Sequence, residues 1–481
     1  MAVDVARVFR LLCFTGFLGV GSAFLALLLG APFGYFLTQI SVKSRHVIEI
    51  FVTIPFLLPP LLVAMGFSWM DRFFWHGKFS PLTLIFIAQS LMNFGLVGRT
   101  FATSLSAIPK DVRENAALDG LGWIGSFFRI EIWQIRSAIT QTLLLVSLYC
   151  STSFGLVLIL GGGSINTLET EINTKALFEL NLHQASLLAV GQTILTLAYF
   201  ILARRSNSQG EIELGQPWDF RALGPHGAPL IVLRVWGGCL LAGVLILLSA
   251  PFISSFHQEG RWQVAGYSGL FGHGARDLLN ISVLQATENS IRNMLVALLI
   301  SVPLAWLTAG ARNRYLDLGV LLPIGLSSVV LGLGYLLGFG WHLFPLRQSW
   351  LVVPLAQSIV LLPLIHQLLV SARRSLDGSI TEAADLDGAG SIARTWRIEV
   401  PILRRAITTA LGFGALVSLG EFGAASFLAY GDQSTLPVVM FRLASRPGAG
   451  NFAIAMAASS LFIVVTAVVL FLSNREYSRY E

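Results

Sequence analysis

EAADLDGAGSIARTWRIEVP, residues Glu382 to Pro401, sets charge and glycine between two long apolar runs. A second stretch of the same kind lies earlier in the chain. Glu114 to Arg136, ENAALDGLGWIGSFFRIEIWQIR, aligns without a gap on Glu382 to Arg404, and 11 of the 23 positions are identical. Unrelated segments would share about one or two, at about 6% per position. The offset between the two, 268 in chain numbering, holds well outside these islands. It pairs Pro55 with Pro323, Gly66 with Gly334, Gln89 and Ser90 with Gln357 and Ser358, Phe154 and Gly155 with Phe422 and Gly423, and Thr167 and Leu168 with Thr435 and Leu436. The chain reads as two related halves joined in tandem.

The flanking runs settle the class of fold. Of 481 residues, 54% are hydrophobic and only 12% charged, with a mean hydropathy of +0.72, whereas about a quarter of a soluble domain is charged. Lipid offers no partner to backbone N–H and C=O groups, so the runs must form helices or a closed barrel, and their continuity excludes the alternation of a barrel. Spans are expected at about 11–37, 48–70, 81–105, 137–160, 185–203, 230–251, 286–309, 318–340, 350–370, 406–428 and 453–473, each near the roughly 20 residues a crossing needs. The expected fold is an all-α polytopic membrane protein of about eleven transmembrane helices, five in a first repeat (1–203) and six in a second (230–481), joined by a Gly-, Pro- and charge-rich linker at 204–229.

With the islands on the cytoplasmic side, the loops of that face hold 19 Lys and Arg against 10 on the other, as the positive-inside rule requires. Six spans separate each residue from its counterpart, so the repeats run parallel, an architecture found in transporters. This count leaves Arg7 and Arg10 on the outer side, against the charge rule, and the side of the N-terminus stays open. The net charge of +6 follows from these loops and does not call for nucleic acid. Cys13, Cys150 and Cys239 lie far apart within spans, and the histidines show no ligand spacing, so neither a disulfide framework nor a metal is implied. Gly161 to Gly163 lack the Lys of a phosphate loop. No enzyme chemistry and no cofactor is indicated.

Within each island, Ser379 stands three residues before Glu382 and Asp111 three before Glu114, the spacing of a reciprocal N-terminal cap. Gly388 and Gly390, like Gly120 and Gly122, are placed to end the helix through a left-handed turn. A short surface helix with a flat Ala383 and Ala384 face is expected. Inside the spans, Glu421 is the most informative residue. A carboxyl group in hydrocarbon costs a few kcal/mol, so it either borders a polar path or bonds hydroxyl and backbone groups between helices. Ser418, Gln89, Asn93, Gln357 and His366 are further candidates, for which interhelical hydrogen bonds compete with a path role. Gly30 with Gly34, and Gly334 with Gly338, have the spacing of close helix contacts.

Glu382, Ala383, Ala384, Gly388, Ile398 and Pro401 match the EAA loop pattern, and on these residues the chain resembles the permease subunits of binding-protein-dependent ABC importers. The resemblance implies a type I permease fold in which each island is a coupling helix seated on an ATPase subunit, through Glu114, Ala116 and Gly120 in one copy and Glu382, Ala383, Ala384, Gly388 and Pro401 in the other. The first copy departs from the pattern at Asn115 and Trp133. It further implies two copies of a cytoplasmic ATP-binding subunit and an extracytoplasmic substrate-binding protein, in the cytoplasmic (inner) membrane of a bacterium. Closure of the ATPase pair on nucleotide would then draw the coupling helices together and open the path outward. The fused two-half form is similar to thiamine and ferric iron importers. SFGLVLILGGGSINTLETEI (153–172) and SLGEFGAASFLAYGDQSTLPVVMF (418–441) look more like the thiamine branch, with Asn173 a departure. Thr167, Glu169, Asp432 and Thr435 then face the binding protein. An ion-driven secondary transporter is the competing class; it accounts for the repeat and for Glu421 but not for two islands.

Overall fold

The computed structural model describes residues 5–475 apart from 207–223, 226, 259–260, 275–277, 312–313, 340–348, 377, 389 and 447. Most of the expected linker lies outside the described residues. Contacts divide the chain into two units, Met1–Ser254 and Ser255–Glu481.

The first unit is built on α1 (Val5–Thr38), a 34-residue helix about 50 Å long at 1.5 Å per residue. Then come α2 (Val42–Leu57), α3 (Pro60–Phe74), α4 (Pro81–Ser106) and the island helix α5 (Lys110–Leu118). A turn, Trp123–Ser126, and a π-helical segment, Phe127–Glu131, lead to α6 (Arg136–Ser151) and α7 (Phe154–Gly161). The unit continues with α8 (Leu168–Asn173), α9 (Leu182–Ser206) and α10 (Ala228–Phe256). The sequence repeat puts α10 at the head of the second half, yet this helix is held in the first unit. There Gly237 abuts the Phe36 ring, Gly66 meets Leu247, and Trp236 Nε1 donates to the Leu29 carbonyl at 3.2 Å.

The second unit opens with a short antiparallel strand pair, His257–Gln258 with Arg261–Trp262. It then runs through α11 (Val283–Gly310), α12 (Arg314–Leu321), α13 (Ser328–Phe339), α14 (Val352–Arg374) and the island helix α15 (Gly378–Leu386). After Ser391–Arg394 and a π-helical Thr395–Glu399 come α16 (Val400–Leu419), α17 (Gly423–Leu428), α18 (Leu436–Ala444) and α19 (Ala449–Arg475). Adding the repeat offset to the bounds of Lys110–Leu118, Trp123–Ser126 and Phe127–Glu131 returns those of Gly378–Leu386, Ser391–Arg394 and Thr395–Glu399. The duplication therefore reaches down to the π-helical turns.

Among the described residues, eight helices are long and apolar enough to cross a bilayer, or eleven if each of three bent pairs is one span. The fold is all-α and polytopic as expected, but three expected spans are not straight. The stretch at 48–70 bends by 95° between α2 and α3. Pro59 and Pro60 supply no N–H donor and drive the preceding residues to extended backbone, and Leu58 accordingly has ψ 145°. The counterpart at 318–340 bends by 97°, after a 3-10 turn containing Pro323. The stretch at 137–160 bends by 55° between α6 and α7. The expected 406–428 span instead starts within the island, running unbroken from Ile392 to Leu419, and stops there.

Packing in the first unit centres on α1 against α4. Buried Phe33 meets Phe94 edge to face, with centroids 5.2 Å apart. A Cβ on Gly30 would sit 2.8 Å from the Phe94 carbonyl, and one on Gly34 2.6 Å from that of Gly98, so these glycines let two backbones touch. Gly334 and Gly338 do not repeat this. Among the described residues no atom lies within 4 Å of a Cβ at either; the close contact of α13 is at Gly332, where a Cβ would sit 2.9 Å from Ala424 Cα. Gly34→Ala is therefore expected to cost about 1–3 kcal/mol through overpacking, read as a lowered unfolding temperature in detergent, whereas Gly334→Ala leaves that temperature unchanged.

Candidate functional site

Each island is an amphipathic helix of nine residues. The expected reciprocal caps are not how these helices start. α5 begins at Lys110 behind Pro109, with no side-chain cap, and Asp111 already lies in its first turn; α15 begins at Gly378, which places Ser379 inside the helix. Asp111 can still act on the positive end of the helix dipole. The C-terminal reading holds at one glycine of each pair. Gly120 has φ +80° and Gly388 φ +75°, while Gly122 has φ −67°. The amides of Gly120 and Leu121 donate to the carbonyls of Ala117 and Ala116, each at 3.0 Å, the double closure of a Schellman turn.

Burial sorts the island residues into two faces. Ala116 and its counterpart Ala384 turn inward, so Ala384 belongs to the packed side and not to an open flat face; Ala383, Asn115 and Glu382 are exposed. Glu114 pairs with Lys110 at 2.7 Å, and its hydrogen bond and charge raise the Lys110 pKa. Both helices end on an apolar knob in solvent, Leu118 at 84% exposure and Leu386 at 88%, followed by exposed Ile124 and Phe128 in one unit and Ile392 and Trp396 in the other. Pro401 is the second residue of α16, directly after the π-helical turn Thr395–Glu399. Its counterpart Trp133 is exposed, and Arg136 lies over its ring at 5.7 Å.

Beneath each island sits a carboxylate not singled out in the sequence reading. Glu131 and Glu399 close the two π-helical segments and are buried. Glu131 pairs with buried Arg113 of α5 and accepts from Ser126 Oγ at 3.0 Å. Glu399 pairs with Arg373 of α14 at 2.6 Å, and Arg394 Nε lies 3.3 Å from its other oxygen. The repeated triplet Arg-Ile-Glu, 129–131 and 397–399, was the available signal.

The candidates within the spans gather at two helix breaks. In the first unit, Gln89 Nε2 donates to the Cys150 carbonyl at 2.9 Å and to Ser153 Oγ, and Ser22 Oγ donates to Gln89 Oε1 at 2.5 Å. In the second, Gln357 Nε2 donates to the Ser418 carbonyl at 3.1 Å, and Ser418 Oγ returns a bond to Gln357 Oε1 at 3.0 Å. Cys150 and Ser418 are counterparts at the repeat offset, so the two glutamines satisfy the same carbonyl in each repeat. Glu421 accepts the amides of Ala424 and Ala425 at 2.7 and 3.1 Å, with the Ser328 hydroxyl beside it. It thus caps α17 at a buried site where solvent does not reach those amides. Asn93 Nδ2 donates to the Gln89 carbonyl at 2.8 Å, and its Oδ1 has no partner among the described residues. His366 is buried between Thr308, 3.0 Å from Nδ1, and Asp317, 3.2 Å from Nε2.

Of the residues expected to face a binding protein, Asp432 is exposed, but Thr167, Glu169 and Thr435 are buried. Thr167 and Thr435 are the N-cap residues of α8 and α18, and Gln192 Nε2 lies 3.4 Å from Glu169. At these helix starts, Leu168 N–H bonds Thr15 Oγ at 3.0 Å and Leu436 N–H bonds Ser290 Oγ at 2.8 Å. α1 now orders the first unit end to end. Its Tyr35 ring packs on Trp123 and Phe127 below the island, while Arg7, near the start of the same helix, pairs with buried Glu171 of α8 at 2.5 Å. The N-terminal end of α1 therefore lies at the end of the bundle away from the island, and Glu171 offsets the charge that conflicted with the positive-inside count.

Residues 26–208 match the protein family described as binding-protein-dependent transport system inner membrane component. The chain is 26% identical over 419 residues to the thiamine transport system permease protein of Haemophilus influenzae, covering 81% of this chain and 75% of that one. It is 24% identical over 404 residues to the corresponding protein of Escherichia coli, covering 80% and 70%. The ferric transport system permease protein of Actinobacillus pleuropneumoniae is 22% identical over 485 residues, covering 95% and 69%. No solved structure is a significant match.

The capping role of Glu421 sets a graded expectation. Glu421→Ala removes both acceptors of the α17 amides and should destabilise the protein by about 1–2 kcal/mol, with Glu421→Gln, which keeps one carbonyl oxygen, losing about half as much. Thermal unfolding in detergent measures both. Unchanged stability with lost transport would instead make Glu421 a group of the solute path.

Proposed function

We propose that this chain, a multi-pass inner-membrane permease of the binding-protein-dependent transport type, is the membrane subunit of an ABC importer for thiamine or its phosphates. The observation that carries the reading is the pair of island helices, equal in length, set at the repeat offset, each closed by a positive-φ glycine and each ending on an exposed leucine. A soluble partner would engage exposed Leu118 or Leu386 together with Glu114 or Glu382 and Ala383, while Ala116, Ala384, Gly120, Gly388 and Pro401 shape the helix from behind. Each island takes one copy of a separate ATPase subunit. This chain lends that partner a surface and the solute a way through, and hydrolysis belongs to the partner.

The excess of Lys and Arg near the islands puts them in the cytoplasm, and the Arg7–Glu171 end then faces outward. The binding protein docks from outside on exposed Asp432 and its neighbours, with Thr167, Glu169 and Thr435 holding the docking segments in shape. The helix breaks held by Gln89, Gln357, Ser418 and Glu421 interrupt the spans and give the path wall a place to move, and Asn93 has a buried oxygen to offer a passing solute. Similarity to thiamine permeases along most of the chain supports thiamine as the solute. The ferric permease, similar across nearly the whole chain, makes ferric iron the second reading.

Proteoliposomes carrying this chain with its ATPase and binding protein should take up thiamine only with ATP and both partners present. Uptake driven by an ion gradient without ATPase would overturn the importer reading, and uptake of ferric iron in place of thiamine would replace the solute. Leu386→Glu puts a charge on the exposed knob without touching the core. It should lower ATPase co-purification at least about tenfold, the 1.4 kcal/mol scale of a lost interface anchor, while the unfolding temperature stays unchanged.

A further inference from the structure

The two units place an ion pair at equivalent carboxylates but draw the arginine from different elements. Both carboxylates end a five-residue π-helical segment at the foot of the span that continues from the island. In both, the residue at the repeat offset, Ser126 or Arg394, meets the same oxygen, Oε1. The other oxygen differs. Glu131 Oε2 holds Arg113, which is 3% exposed and lies in the middle of island helix α5. Glu399 Oε2 holds Arg373, in the last turn of the long span α14. Arg373 is fixed there a second and third time, by Nη1 donating to the Trp306 carbonyl at 3.1 Å and by its guanidinium over the Trp306 ring at 4.1 Å. The exchange is written in the sequence, since Thr381 stands where Arg113 would and Leu105 where Arg373 would.

We infer that Glu131 and Glu399 are positioning residues that join island to membrane unequally: Glu131 ties the first island helix itself to the span that follows, whereas Glu399 ties that span to its neighbour α14. Truncating one side of a buried pair leaves an uncompensated charge in low dielectric, so such pairs resist separation strongly. A push on α5 is therefore delivered through Arg113 and Glu131 to the base of α6. In the second unit, the charged tie keeps α14, α11 and the π-helical segment together, and α15 moves without dragging that pair. The first tie is shut off from solvent, with Arg113 and Glu131 3% and 1% exposed, and Tyr35, whose ring packs on Trp123 and Phe127, bonds Arg113 beside it, unlike a surface pair. The inequality bears on the proposed coupling role and rests on that reading for its consequence, while the ties themselves do not.

Hydrogen exchange on the full chain in lipid nanodiscs tests the ties without any ATPase. The neutral pair Arg113→Thr with Glu131→Gln leaves no buried charge. It should speed amide exchange at 110–118 by about tenfold and change 378–386 by less than about twofold. The neutral pair Arg373→Leu with Glu399→Gln should speed exchange at 395–405 and leave 378–386 within about twofold. Unchanged exchange at 110–118 in the first, or equal loosening of 378–386 in the second, overturns the inference. Should the neutral pair fail to insert, the reversed pair Arg113→Glu with Glu131→Arg decides: wild-type protection at 110–118 supports the tie and lost protection refutes it. In the assembled transporter, the first neutral pair should keep ATPase association but move less solute per ATP hydrolysed. If the unaltered chain binds no ATPase at all, the coupling reading fails and the exchange result stands on its own.

Discussion

A helix that stops inside a bilayer must hand its last carbonyls and the next helix's first amides to something other than water. Everything unusual in this protein follows from that constraint. Two of the interruptions, after Ser151 and after Leu419, fall at equivalent places in the two repeats, and at both a side chain takes over a freed backbone group. Gln89 takes the Cys150 carbonyl and Gln357 that of Ser418, while Glu421 gathers two amides of α17. The polar residues expected along a solute path are thus also the means by which a broken span is held together.

The same logic holds at the island end, where the interruption is a π-helical turn. Such a turn widens the helix and leaves room for a buried group, and here a carboxylate with an arginine fills it. Because the pair is built at equivalent positions from different parts of the chain, duplication has preserved the carboxylate and moved its partner. That is how two halves with 11 of 23 island residues in common come to hold their islands differently. The contrast between Pro401 and Trp133, which stands out in the sequence, is local by comparison. Pro401 is the second residue of α16, directly after the π-helical turn, and Arg136 lies over the ring of exposed Trp133.

Much of the site was legible because it repeats. The constant offset and the glycines at 120 and 388 are enough to locate both island helices and their ends. Their beginnings are not, since Ser379 and Asp111 have the spacing of a cap but α5 starts at Lys110 behind the cap residue Pro109, two residues before Asp111. Two straight spans were expected where Pro59 with Pro60, and Pro323, bend the chain by more than 90°; the prolines were visible, but hydropathy outweighed them. Thr167, Glu169 and Thr435 read as surface because loops are polar, while the fold buries all three, the two threonines at helix starts whose first amides bond Thr15 and Ser290.

What the sequence by itself determined is the class of molecule and its duplication. Apolar length forces helices in lipid, and identity at a constant offset needs no contact to be seen. Only the tertiary structure decided which polar groups are spoken for. Hydrogen-bond partners far apart in the chain, such as Gln89 with Ser153 or Arg7 with Glu171, follow no local period. Nor could spacing show that Arg113 reaches Glu131 while Arg373 reaches Glu399, because that choice depends on how helices cross, and crossing is fixed by close packing such as that of Gly34 on Gly98.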